Sequence, residues 1–587
     1  DVERSRGLGD VYKRQDNIFI NANEMAFHMA SVCGDANNKA ITGVTNTAKF
    51  DADSIILKGA SGIRATVASD SRNKIEFNGV GRTEIYAIIP STVNETNFFG
   101  EIIGGKAVEI DYTDLTFNND AVLAGENLTA QGTAAGHLVN PGTQFEDWQD
   151  GYWLKAVSAG LESVLTANKD ASILSNGGYY NTALHVWGKS QAEFNGKTSI
   201  TVQNGVDTAR AVYVYDDYDG TTRAEFNDDL TISTAGSNAT YLYGIDVRAG
   251  GKVDVTKGLI MNDNNNITWS LFAMGNDSKI DINSSASGEV QVVGSVGGYD
   301  GGAVDMTLNT AASYFTGASY LKGAGKVDLD ISNQAVWNMT GTSATTDLQL
   351  ASGAVIDMRA DSNGYSTLTT ATLGGSGGII KQDIDVRSME SDKVLVAGDF
   401  SGTQALDIYQ KDNYVPAGDS TEGTGLVLAS VNGNGIFTAQ DREGTLFYTH
   451  YDLANKDSET DGFTTDWYLN KIIKTDKPTT SVDTVLSANA LNYHTWRTEN
   501  DKLLQRMGEL RHNGEEAKGA WFRVKGSKIG REGRFGFENK YTAYELGYDQ
   551  AVKRTEDKTR YQGAAISYTD GSSSYSRGSG DNSSKSI

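Results

Sequence analysis

The residues with the most evident chemical potential are acids set close together. Asp216-Asp217-Tyr218-Asp219 and Asp228-Asp229 lie a short distance apart, and Gly297-Gly298-Tyr299-Asp300-Gly301-Gly302 has the glycine–aspartate texture of a calcium-binding turn. Carboxylates stacked on neighbouring turns of chain could bind Ca²⁺ or cleave an acidic polysaccharide. Asp and Gly are also the residues that tight turns select, and that plainer reading is preferred. Asp216, Asp217 and Asp219 therefore stand as a surface acidic patch, with no metal and no cofactor assigned to it.

Other sources of chemistry are thinner. Gly398-Asp399-Phe400-Ser401-Gly402 interrupts a serine-nucleophile motif with a phenylalanine, and Gly418-Asp419-Ser420-Thr421 is incomplete. The six histidines (His28, His137, His185, His450, His494, His512) are scattered singly, without metal-ligand spacing. Cys33 has no partner for an internal disulfide and reads as a small buried filler. Ala211-Val212-Tyr213-Val214-Tyr215, with Tyr218, could form a strip that contacts sugar or protein, or could equally be packing. The expectation is a protein that is not an enzyme, with no catalytic residues.

The elements that carry these residues are strands. Glycine is frequent (66), proline almost absent (4), and 39% of residues are hydrophobic. Short alternating runs recur from Asp16 to about Asn470, including Lys74-Ile75-Glu76-Phe77, Ser199-Ile200-Thr201-Val202, Lys252-Val253-Asp254-Val255, Lys279-Ile280-Asp281-Ile282 and Lys326-Val327-Asp328-Leu329. Period-two alternation buries one face and wets the other. The segment from Ala192 (AEFNGKTSITV) repeats from Ala224 (AEFNDDLTIST), and related units follow at Lys252 and Lys279. A period near thirty that varies in length is what a solenoid gives, with Val and Ile stacked inward and Lys and Asp facing water. A sandwich also alternates, but 450 residues would need several domains, and no linker divides them.

Charge is uneven. The net value is −24, and residues 491–587 hold 17 Lys+Arg against 13 Asp+Glu, or +4, so residues 1–490 carry −28. An acidic surface excludes nucleic acid as the main partner. Residues 1–15 are polar and arginine-rich, match nothing downstream, and read as a non-native extension, so an export signal is expected upstream in the full gene product.

From Ala335 the sequence resembles a known family. Ala335-Val336-Trp337-Asn338-Met339-Thr340-Gly341, Leu348-Gln349-Leu350, Val355-Ile356-Asp357-Met358, Leu426-Val427-Leu428-Ala429 and Asp466-Trp467-Tyr468-Leu469 look like the last rungs of pertactin-like, type V autotransporter passengers. The resemblance implies an autochaperone cap, in which Phe437, Phe447, Trp467 and Leu469 would close the open end of the solenoid. A polar spacer, Lys474–Thr480, precedes a helical pattern at Ser487–Arg497 and Asp501–Arg511, with Leu503, Met507 and Leu510 on one face. LNYHTWRTENDKLLQRMGELR resembles the pore helix and barrel start of the same family, which assigns Trp496, Arg497, Arg506, Met507 and Trp521 to that region. Strands are expected at Ala520–Lys525, Tyr541–Asp549 and Arg560–Tyr568. In the second, Thr542, Tyr544, Leu546 and Tyr548 suit lipid, and Ala543, Glu545, Gly547 and Asp549 suit a lumen.

The fold class expected is therefore all-β: a right-handed parallel β-helix over residues 16–335, C-terminal rungs and cap over 336–473, linker and pore helix over 474–511, and over 512–587 the first strands of an incomplete twelve-stranded outer-membrane barrel. An open sheet cannot sit in lipid, so a longer gene product is expected. By resemblance, the protein exports its passenger through its own barrel and acts as an adhesin. Its partners would be the outer membrane, barrel-assembly machinery, periplasmic chaperones, and a protein or glycan on a host or neighbouring cell. The runner-up is a polysaccharide-cleaving surface enzyme.

Overall fold

The computed structural model describes residues 11–22, 25–30, 43, 45–67, 69–89, 105–127, 153–216, 219–263, 267–351, 353–360, 364–411, 420–512, 518–577 and 581–586. Cys33, His137, Asp217 and Tyr218 lie outside them. The chain forms two compact units. The first holds residues 1–414, 425–438 and 453–469, and the second holds 415–424, 439–452 and 470–587.

The first unit is a stack of parallel coils. In its middle, each coil contributes three strands. Tyr180–Trp187, Gln191–Phe194 and Thr198–Gln203 pair in parallel with Thr208–Tyr215, Arg223–Phe226 and Leu230–Ser233 of the next coil. The repeated AEF segments lie directly on one another, Ala192 on Ala224 and Phe194 on Phe226. Parallel pairing removes the sandwich alternative, which is built from antiparallel sheets.

Alternation explains why these segments stack. Ala224, Val253, Ile280, Val304 and Val327 succeed one another inside the coil, all buried. One inner row is aromatic: Phe50 stacks on Phe77 at 4.7 Å, Phe77 on Phe117 at 5.1 Å, and Phe194 on Phe226 at 5.0 Å. Full burial of such a ring contributes about 1.5–3 kcal/mol. Outside, the matching row is acidic, running Glu193, Glu225, Asp254, Asp281, Asp305, Asp328, Asp347 from coil to coil. Its repulsion is offset locally: Lys279 reaches Asp281 at 2.7 Å and Asp305 at 2.9 Å.

At one corner the turns are tied by asparagine side chains. Asn118 donates to Asn78 (2.6 Å), Asn168 to Asn118 (2.7 Å), Asn195 to Asn168 (3.1 Å) and Asn227 to Asn195 (2.7 Å). Each amide donates to one neighbour and accepts from the next, so identical residues on successive coils satisfy each other. The coils vary in length along the stack. The step is 32 residues for Gln191/Arg223, 27 for Lys252/Lys279, 23 for Ala303/Lys326 and 19 for Asp328/Asp347, then 25 for Asp347/Thr372 and 35 for Val394/Ala429.

Three expectations about boundaries change. The first strand begins at Val11, not after residue 15, and pairs from Val11 on Ala48. The spacer at 474–480 is mostly strand, because Thr465–Pro478 continues without a break. The helix is a single element, Thr480–His512. It starts at Thr480 because Thr479 caps it: the Thr479 Oγ1 accepts from the Val482 N–H at 3.3 Å.

The second unit contains that helix and four antiparallel strands, Lys518–Arg531, Phe537–Arg554, Thr559–Tyr575 and Asp581–Ser586. They overrun the expected segments. The serine-rich strands at the end of this sheet pair in register, Asp570 with Lys585 and Ser574 with Asp581, since ladder hydrogen bonds do not depend on side-chain size.

Candidate functional site

The acids of the proposed patch do not share one environment, and Asp217 lies outside the described residues. Asp216 is buried, and its carboxylate is consumed by its own turn, accepting from the Thr222 N–H at 2.9 Å and from the Asp219 N–H at 3.4 Å. Asp219 faces outward, accepts from Thr221, and pairs with Lys189 at 3.3 Å. Asp228 pairs with Lys257 and Asp229 with Lys197. Among the described residues no group of three or more His, Cys, Asp or Glu is placed to hold a metal ion. Phe400 of the interrupted nucleophile motif points into the core.

The aromatic run has more structure around it. Tyr213 and Tyr215 lie on the outward side of the column whose strands include Tyr180–Trp187, Thr208–Tyr215, Tyr241–Arg248 and Trp269–Met274. Tyr213 stacks on His185 at 5.1 Å, and Arg210 sits 4.5 Å above the Tyr213 ring. Arg210 and Arg248 converge on Asp246, at 2.7 and 2.9 Å. Asp246 is fully buried between them. Burial pushes the Tyr213 hydroxyl up to about 12 and, with nearby cations, holds His185 well below its usual range. Burial opposes the Arg248 charge, but Asp246 outweighs it and raises its pKa. The Arg–Asp–Arg bridge was invisible in sequence because its members sit 36 and 2 residues apart and meet only through inter-coil register.

The proposed cap divides. Phe437 lies 4.5 Å from Phe400 and 5.8 Å from Trp467, and Leu469 is fully buried in the same unit. A side chain on Gly435 would run into the Phe400 ring, so glycine lets the last turn close over it. Phe447 belongs to the second unit and is only half-buried, under Lys474 at 4.8 Å. Asp466, which the motif Asp466-Trp467-Tyr468-Leu469 contains but alternation assigns no role, is buried beside Trp467. It accepts from Ser430 Oγ (2.6 Å), Ser458 Oγ (2.7 Å) and the Glu459 N–H (3.1 Å).

In the second unit the strand faces separate as the alternation implied. Tyr544, Leu546 and Tyr548 are exposed, while Ala543, Glu545 and Gly547 are buried. Register widens the exposed side into two rows, Val524–Tyr544–Tyr568 and Phe522–Leu546–Ile566, all apolar and all open. On the other side Arg523 meets Glu545 at 2.9 Å, and Trp521 takes the space a Gly547 side chain would fill. The helix turns a largely polar stripe to these strands: Asp483, Ser487 and Leu491 are buried, His494 lies 5.5 Å from the Phe537 ring, and Arg534 reaches Asp483 at 3.5 Å. Trp496, at 61% exposed, and Arg497 face away from that contact. Arg506, Met507 and the rest of the Leu503 face have side chains outside the described set.

A family model for pertactin matches residues 345–471, the coils and cap just described. Autotransporter CRAC of Citrobacter rodentium (strain ICC168) is 26% identical over 302 residues, covering 46% of this chain and 18% of that protein. The probable autotransporter YcgV of Escherichia coli (strain K12) is 24% identical over 473 residues, covering 72% of this chain and 46% of that protein. The chain therefore spans less than half the length of either relative. The crystal structure of the Haemophilus influenzae Hap adhesin is similar at 12% identity and a TM-score of 0.25, over 78% of this chain and 58% of that one. A parallel β-helix that ends in a segment matching the pertactin family model, with similarity in sequence to autotransporters, supports a classical autotransporter with a pertactin-like passenger.

Proposed function

We propose that this protein delivers its β-helix to the cell surface through an outer-membrane barrel, and that the displayed β-helix acts as an adhesin or surface-interaction protein, not as an enzyme. The observation that carries the export reading is the inverted amphipathicity of the second unit. Its antiparallel strands expose Phe522, Val524, Tyr544, Leu546, Ile566 and Tyr568 and shield Arg523 and Glu545, the pattern of a sheet with lipid outside and water inside. A helix that buries Asp483 and Ser487 against such strands suits a wet lumen. The acidic outer row of the β-helix suits solubility outside the cell and disfavours nucleic acid as a partner.

Localisation follows as outer membrane for the strands and cell surface for the β-helix, with barrel-assembly machinery and periplasmic chaperones as assembly partners. The test is expression of the full-length gene in a Gram-negative host, with antibody labelling of intact cells against the β-helix. Labelling that proteinase K removes without cell lysis is expected. A β-helix that labels only after permeabilisation would overturn the export reading.

A further inference from the structure

The outward side of most coils is charged, but one stretch is not. On the column that includes Tyr241–Arg248, Trp269–Met274, Val296–Tyr299 and Ser319–Lys322, the rings of Tyr243, Trp269, Phe272, Tyr299 and Tyr320 gather in one cluster. Register places Tyr243 on Trp269, Phe272 above Gly297 and Tyr320, and Met274 on Tyr299 and Lys322. Trp269 is the hub, 5.0 Å from Phe272 and 5.6 Å from both Tyr299 and Tyr320. Gly297 is what lets it lie down: a side chain there would stand 2.7 Å from the indole. Tyr320, Tyr241 and Met274 remain exposed.

Charge selects the occupant. The chain carries −24, and the neighbouring column presents a continuous acidic row. Around the rings cations stand beside the acids. Arg248 lies 5.5 Å from the Phe272 ring and Lys322 5.9 Å from the Tyr299 ring, with Arg210 behind them; Asp246 is buried between the arginines, and Asp300 stands in the turn after Tyr299. Flat rings take the apolar faces of sugars, and a cationic edge takes their anionic substituents. A repeating ring surface along parallel strands also matches a linear polymer better than a single compact epitope.

We infer that the Trp269–Phe272–Tyr299–Tyr320 face, edged by Arg248 and Lys322, binds a linear acidic glycan. The inference rests on the adhesive reading above for its biological setting, but its test does not require display. Full-length purified protein in detergent is titrated onto immobilised heparin, hyaluronan and uncharged dextran. Binding to an acidic polymer and not to dextran is expected, weakened roughly tenfold or more by Trp269→Ala and by the more exposed Tyr320→Ala. Lys322→Glu should weaken it too, and added salt should reduce it. Circular dichroism of each variant reports the fold, and Tyr320→Ala keeps the test valid if Trp269→Ala unfolds. No binding to either acidic polymer, equal binding to dextran, or unchanged binding by folded Tyr320→Ala and Lys322→Glu overturns the inference. So does a Trp269→Ala variant whose sedimentation shows a lost dimer, since the face would then join two copies of the chain. Failure of whole-cell labelling with intact glycan binding would refute export alone.

Discussion

Replacing Asp466 by alanine tests the account of the cap at a single atom group. Its buried carboxylate accepts from Ser430 Oγ, Ser458 Oγ and the Glu459 N–H at 2.6, 2.7 and 3.1 Å, tying the 458–464 turn to the strand that carries Ser430. Each charge-assisted bond is worth about 1.5–3 kcal/mol, and the three act as one network, so the sum overstates the loss. Asp466→Ala leaves neutral donors without their acceptor, and each donor left buried and unsatisfied costs about 1–3 kcal/mol. Asp466→Asn keeps one acceptor oxygen and should cost about half as much. Burial pushes the Asp466 carboxyl up, but the hydrogen bonds from Ser430, Ser458 and Glu459 outweigh it and leave its pKa below the ordinary value. A carboxyl depressed in the folded state stabilises above its unfolded pKa, near about 4, and loses that contribution as pH falls through the folded value. Hydrogen exchange of the peptide 453–469 is the assay, because a solenoid need not unfold in two states. Asp466→Ala should exchange roughly a hundredfold faster or more at pH 7, and the gap from wild type should close at strongly acid pH. Equal protection at pH 7, or a gap that widens in acid, would refute the reasoning.

Three further outcomes are expected. Trp467→Ala removes a buried indole packed on Phe437 and should cost about 3–5 kcal/mol; antibody labelling of intact cells should fall while total membrane-associated protein is unchanged. Asn195→Ala cuts two links of the asparagine row, but at a largely exposed corner, so chemical denaturation should register about 1 kcal/mol or less, against a larger loss for Phe194→Ala beside it. Asp392 accepts from the Ser366 and Asp383 N–H groups, and burial raises its pKa to about 6. A raised folded pKa stabilises most below the unfolded value and fades as pH climbs through about 6, so amide protection at Ser366 and Asp383, corrected for intrinsic exchange, should weaken from pH 4.5 to 7.5.

Local periodicity made the strands legible, and little else. Lys252-Val253-Asp254-Val255 declares which side is buried without reference to any other residue, and the structure places Val253 and Val255 inside as alternation requires. Partners across coils were a different matter, because the step between them ranges from 50 residues to 19. The Asp246 bridge and the ring cluster around Trp269 depend on that register, so neither could be read from spacing. Asp216 misled because an exposed turn aspartate and a buried one look alike in sequence; only the Thr222 N–H reveals the difference. In the second unit, the faces of Tyr541–Asp549 were readable because strand alternation is strict, whereas the helix start at Thr480 was masked by the charges of a strand that runs on to Pro478.

The asparagine corner has a consequence for how the array tolerates change. Each amide there answers only to the coil below and the coil above, as does each phenylalanine in the inner row. Energetically the first unit therefore resembles a row of coupled spins, where the free energy is a sum over neighbours and no coil knows the length of the stack. Insertion or loss of a whole coil would conserve every remaining junction if its corner keeps the amide. A single non-matching residue would break two junctions at once. Lineages of such an array should drift in coil number more readily than in the identity of their corner residues.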